Sequence, residues 1–172
     1  MLKMLGVFMV IATTTLFSAS LASREKYRLH DLEQLQRAIL LMKNRIAYLG
    51  EPLQQILESI AWKTDGVIGN VLGQISLSMA ERDGVSGEEI WERIWREHAK
   101  KSYLTSEDMK EVIHFGRTLG FLERAQQEGS MDLLLLYLRG KEAEIKRRLE
   151  KNGKLYYSMG ILAGLLIVVV LI

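Results

Sequence analysis

Two stretches without a charged residue constrain this chain more than any other feature. Leu5–Ala22 and Leu155–Ile172 each run for 18 residues with no Asp, Glu, Lys or Arg. As helices rising about 1.5 Å per residue, each would reach roughly 27 Å, close to the thickness of a bilayer's hydrocarbon core. The second run closes on "MGILAGLLIVVVLI" (Met159–Ile172). An apolar end of this kind aggregates in water, so Ile172 is expected to sit in or just beyond a lipid bilayer. Between the runs, the 131 residues of Arg24–Lys154 hold 22 of the 23 Lys/Arg and all 21 acidic residues, a balance of +1. A segment of that size can bury a core of its own as one domain. The expected division is therefore a transmembrane helix over 1–23, a helical-bundle domain over 24–154, and a second transmembrane helix over 155–172.

The first run has two readings. Lys3, an apolar stretch and "SLAS" (Ser20–Ser23) together look like a secretory signal with a cleavage site. A retained signal anchor fits better with the length of the run, with the charges that follow at once in Arg24, Lys26 and Arg28, and with a helical pattern that continues past the cut. Lys141, Lys146, Arg147, Arg148, Lys151 and Lys154 precede the second run, and only Lys3 and the terminal amine lie on the far sides. The positive-inside rule then puts the middle domain in the cytoplasm and both termini outside. Cleavage would instead leave an outward-facing adaptor tethered by its C-terminal span. Gly160 and Gly164 form a Gly-x-x-x-Gly pair, and Ser18/Ala22 and Ala19/Ser23 are likewise small residues four apart. Such spacing suits packing of the two spans on each other, or else self-association or packing against a partner's span.

The middle reads as all-α. Leu32, Leu35, Ile39, Met42, Ile46 and Leu49 alternate steps of three and four, which places them on one helix stripe. Gly50 breaks that helix and Pro52 suits the first turn of the next, whose apolar face is Leu53, Ile56, Leu57 and Ile60. "TDGVIGN" (Thr64–Asn70) reads as a loop and Val71–Arg82 as a short helix. Ser86 with Glu89 forms a capping-box pattern ahead of Ile90, Trp91, Ile94 and Trp95, and Thr105 with Asp108 looks like another helix start. "QQEGS" (Gln126–Ser130) is the last break, before a helix from Met131 to Lys151 that runs on into the second span. The expectation is about six helices, the first and last extending from the spans.

Catalytic chemistry finds little support. With no cysteine there is no disulfide framework or thiolate metal site. His30, His98 and His114 fit no metal-ligand spacing, and Glu97–His98 reads as a partly exposed polar face. Gly66, Gly69 and Gly73 lack the Gly-Lys-Ser/Thr of a phosphate loop, which leaves turn formation and close packing. Glu88–Glu89 and Glu107–Asp108 sit where a helix dipole favours acids. No cofactor or metal is expected, and the near-neutral domain argues against nucleic acid. Trp62, Trp91 and Trp95 suit a core, and Trp91 with Trp95 could alternatively present an aromatic patch to a partner. In "HFGRTLG" (His114–Gly120), Gly116 within a helix is unfavourable by about 1 kcal/mol relative to Ala, which suggests close approach of another helix. The corner of Gly116, Arg117 and Gly120 is then either a packing feature or a docking surface.

Several blocks together resemble one family. "MLKMLGVFMVIATTT" at the start, "QLQRAILLMKNRIAYLGEPL" (Gln34–Leu53), "FGRTLG" (Phe115–Gly120) and the closing "MGILAGLLIVVVLI" are similar, in order and spacing, to the stage III sporulation protein AB family of endospore-forming bacteria. That family is similar in turn to the cytoplasmic helical domain of type II secretion inner-membrane F proteins. F proteins carry two copies of the domain and three spans, where one copy and two spans are expected here. The resemblance implies a non-enzymatic platform in the mother-cell membrane around the forespore, within a channel-like complex. Its implied partners are a secretion-type ATPase (stage III sporulation protein AA) and the other stage III A-operon membrane proteins.

Overall fold

The computed structural model describes the backbone of residues 2–81, 84–119 and 124–171, and the side chains of 23–48, 50–81, 84–119 and 126–151. Among the described residues there are six helices and no strand: α1 (Leu2–Leu49), α2 (Leu53–Ala61), α3 (Gly66–Ala80), α4 (Gly87–His98), α5 (Ser106–Gly116) and α6 (Arg124–Leu171). The chain divides into two compact units, one of Met1–Tyr27 with Ala143–Ile172, the other of Arg28–Glu142. In the first, Arg148 pairs with Glu144 one turn earlier on α6. Among the described residues no helix is long and apolar enough to cross a membrane. The uncharged runs, with Gly160 and Gly164, are helical in backbone, but their side chains lie outside the described residues.

The Arg28–Glu142 unit is built on the apolar stripe of α1. Leu32, Leu35, Ala38, Ile39 and Met42 are all fully buried. Gly50, at φ 60°, ends that helix in a conformation that glycine adopts without strain. Pro52 stands one residue earlier than its expected first-turn place, as the N-cap of α2, where its carbonyl accepts from Ile56 N at 3.1 Å. Ile56, Leu57 and Ile60 turn inward, and α2 packs on α3, α3 on α4 and α4 on α5. Ser76 Oγ clamps the α2–α3 pair by donating to Gln54 O at 3.0 Å.

Two helix starts differ from the sequence expectation. α3 begins at Gly66 inside the stretch read as a loop, because Ile68 and Gly69 in its first turns are buried. A Cβ at Gly69 would lie 1.9 Å from Thr64 O, so that glycine is there for contact and not for a turn. α6 begins at Arg124 and passes through Gly129–Ser130 unbroken. Met131 is fully buried and Ser130 Oγ lies 2.7 Å from Thr118 Oγ1, and this tertiary anchoring outweighs the roughly 1 kcal/mol cost of a helical glycine.

Trp62 is 87% exposed, contrary to its expected place in the core. At 100° per residue it stands about 200° around α2 from the buried Ile60, so continuing the helix turns it outward.

Candidate functional site

α4 and α5 form a corner around Trp91. The face of α4 carrying Ile90, Trp91, Ile94 and Trp95 is buried, and both indoles are fully enclosed. Their rings are 6.0 Å apart between centroids, and Trp91 meets Phe115 edge-on at 5.7 Å. Trp91 Nε1 donates to Val112 O on α5 at 2.9 Å. The pair is therefore core, and the alternative of a surface aromatic patch is corrected. Trp95 Nε1 is buried with no acceptor among the described residues.

Gly116 ends α5 directly on the Trp91 ring. A Cβ there would stand 2.0 Å from Trp91 Cδ1, well inside van der Waals contact. The close approach expected from the sequence is thus made by a side chain. Arg117 follows at the C-cap, half exposed, and reaches back to α4, 3.5 Å from Glu88 Oε1 and 3.4 Å from Glu92 Oε2. Gly120, the third residue of the expected corner, lies outside the described residues.

α5 starts on a complete capping box: Thr105 Oγ1 accepts from Asp108 N at 3.2 Å, and Asp108 Oδ2 accepts from Thr105 N at 2.8 Å. Asp108 does more than cap. It is fully buried, and it also accepts from Arg28 Nε at 2.9 Å and Nη2 at 3.0 Å, from Thr105 Oγ1 at 2.8 Å and from Tyr137 OH at 2.8 Å. One carboxylate thereby joins α1, α5 and α6. Burial pushes its pKa up, but the bonds from Arg28, Thr105 and Tyr137 outweigh burial and hold it below the ordinary value. The same burial, with the neighbouring Asp108 charge, drives the Tyr137 hydroxyl well above its usual range. Asp31, one turn along α1 from Arg28, accepts from Tyr103 N at 2.8 Å; burial there wins and raises its pKa.

His98 is corrected from a partly exposed polar position to a buried one. It shares the face of Trp91, Ile94 and Trp95, seven, four and three residues away. Its Nδ1 lies 3.0 Å from Ile94 O and its Nε2 lies 3.3 Å from Gln74 Nε2, a set satisfied when Nδ1 donates and Nε2 accepts. Both ring nitrogens thus have partners within the domain. Among the described residues no group of acids and histidines could hold a metal.

The outer side of this corner is a groove of about 640 Å³ between the end of α4 and α5. Arg96, Lys100, Lys110 and Arg117 line it, with Glu111 the one acid in the lining. Leu104, Met109 and Ile113 form its recessed apolar wall. Sequence reading identified Arg117 but not the rest, because Lys100 and Lys110 are brought together only by the α4–α5 turn.

These features define the class: an all-helical domain with a committed interior and a groove lined by four basic residues at the α4–α5 corner. Residues 3–172 match the family described as stage III sporulation protein AB, and the chain belongs to that family. The stage III sporulation protein AB of Bacillus subtilis (strain 168) is 27% identical over 171 residues, covering 99% of each chain. A solved structure of a stage III sporulation protein AB (SpoIIIAB) shares the fold, with a TM-score of 0.67 at 22% identity over 72% of this chain and 97% of that one. The family places the chain in sporulation.

Proposed function

We propose that the chain is a non-enzymatic, membrane-anchored assembly platform of the complex that links mother cell and forespore. Its two uncharged runs anchor it in the mother-cell membrane as two spans, with both termini outside and the helical domain in the cytoplasm. The α4–α5 corner docks a secretion-type ATPase, for which stage III sporulation protein AA is the candidate, and the spans meet the other stage III A-operon membrane proteins or further copies of the chain through Gly160 and Gly164. The likeness of the domain to type II secretion F proteins is part of this reading.

The observation that carries it is the contrast between interior and groove. The buried polar groups Asp108, Asp31 and His98 serve packing, while the groove gathers cations around an apolar wall. Such a surface binds; it does not catalyse. Its side of the membrane is tested with a single cysteine in this cysteine-free chain. Val85→Cys suits the purpose, since Val85 is exposed and precedes the Ser86 cap without supplying it. A membrane-impermeant thiol reagent should label it only after sporulating cells are permeabilised, with a cysteine added after Ile172 as the outward control. Labelling in intact cells equal to that control removes the ATPase from reach and overturns the platform reading.

A further inference from the structure

We propose that the groove between α4 and α5 receives an acidic amphipathic helix of a protein partner. This deepens the platform reading and rests on it for the identity of the partner. The cations of the rim fall into two kinds. Arg96 is answered by Glu92, its neighbour one turn away, and Arg117 by Glu88 and Glu92. Lys100 and Lys110 are both exposed, and no ion pair among the described residues involves either of them. Two lysines beside an apolar wall, in a lining whose one acid, Glu111, forms no ion pair with either among the described residues, are complementary to carboxylates supplied from outside.

The shape selects among anionic partners. Leu104 and Met109 are 9% exposed and Ile113 7%, so the wall is recessed below the cations. A flat bilayer surface would meet the rim and leave that wall uncovered. Nucleic acid is disfavoured by the +1 balance of Arg24–Lys154 and by a lining that holds no Phe, Tyr or Trp, its one aromatic ring being the His114 imidazole. A helix with acids along the edges of an apolar stripe satisfies both components. The groove follows α5 from Thr105 to Arg117, a span of about 18 Å, which accommodates roughly three turns of partner helix.

The test uses the full-length chain in nanodiscs of neutral phosphatidylcholine. The probes are two labelled 18-residue amphipathic peptides, one of Leu and Glu, the other of Leu and Lys at the same positions. The Glu peptide should bind at least tenfold more tightly than the Lys peptide, and added salt should weaken it. Lys100→Glu/Lys110→Glu should lose that binding at least tenfold, whereas Lys63→Glu, an exposed reversal on the α2–α3 turn, should keep it. Equal binding of the two peptides, or unchanged binding by the double variant, overturns the groove. Binding of the nanodisc-held wild type, but not of the double variant, to separate phosphatidylglycerol vesicles assigns the cations to lipid and overturns it as well. The two readings fail separately: a chain that binds the peptide but labels from outside the cell loses only the platform, and a cytoplasmic domain that ignores the peptide loses only the groove.

Discussion

Asp108 and Lys110 stand two residues apart on α5 and are treated in opposite ways. Asp108 is fully buried and accepts hydrogen bonds from Arg28, Thr105 and Tyr137. Lys110 lies open on the groove side of the same helix and takes part in no ion pair among the described residues. The difference teaches where to look for recognition in a bundle of this kind. A charge whose partners are all internal fixes the register of three helices, and one without an ion pair among the described residues is where the proposed recognition falls. Buried and surface charges also differ in energy: breaking a buried pair leaves an uncompensated charge, whereas exposed groups are screened by water.

The largest expected effect comes from attacking the buried side of this comparison. Asp108→Ala should destabilise the Arg28–Glu142 unit by about 3–5 kcal/mol, because it removes the carboxylate that pairs with the Arg28 guanidinium, itself only 12% exposed. Denaturant unfolding of the full-length protein measures it, and a loss under about 1 kcal/mol would show the node to be dispensable. The pH dependence carries the same signature. Asp108 has a lowered pKa in the fold, so its contribution is present above the unfolded carboxylate value and is lost as pH falls through the folded one. Asp31, with a raised pKa, works in the opposite direction in the same acid range. Asp108→Asn should therefore flatten the acid limb of the stability profile, or reverse it.

Next comes Gly116→Leu. Its side chain would start 2.0 Å from Trp91 Cδ1, and both α4 and α5 must give way. A loss of about 1–3 kcal/mol is expected, read as a fall in melting temperature. An unchanged melting temperature would mean that the Trp91 ring can leave the corner freely. The smallest effect separates the two tryptophans. Trp91→Phe removes the hydrogen bond to Val112 O, whereas Trp95→Phe removes a donor that has no acceptor among the described residues. The first should cost about 1 kcal/mol more than the second in parallel denaturant titrations. Equal costs would show that the Val112 bond contributes nothing net.

Much of the fold was legible because it is local. The stripe from Leu32 to Met42 is written at helical spacing, and the Thr105–Asp108 box lies within one turn. The close approach at Gly116 could also be read, since a helical glycine signals that something needs the space. What the sequence hid depends on distant partners. Arg28 meets Asp108 across 80 residues, and no local pattern marks either one as the other's partner. Thr64–Asn70 and Gln126–Ser130 have the glycine and polar content of loops, but the burial of Gly69 and Met131 overrides it and both stretches carry helix. His98 could have been recognised as buried, since it continues the Trp91–Trp95 face by one turn. The groove could not, because its lysines belong to different elements.

The most direct test of the account separates stability from recognition in one preparation. Full-length wild type and Lys100→Glu/Lys110→Glu are purified from sporulating cells, and the melting temperature and the recovery of stage III sporulation protein AA are measured together. The account predicts that the melting temperature stays within about 2 °C, as exposed substitutions generally allow, while ATPase recovery falls at least tenfold. Undiminished recovery in a variant that is folded as well as the wild type would contradict it.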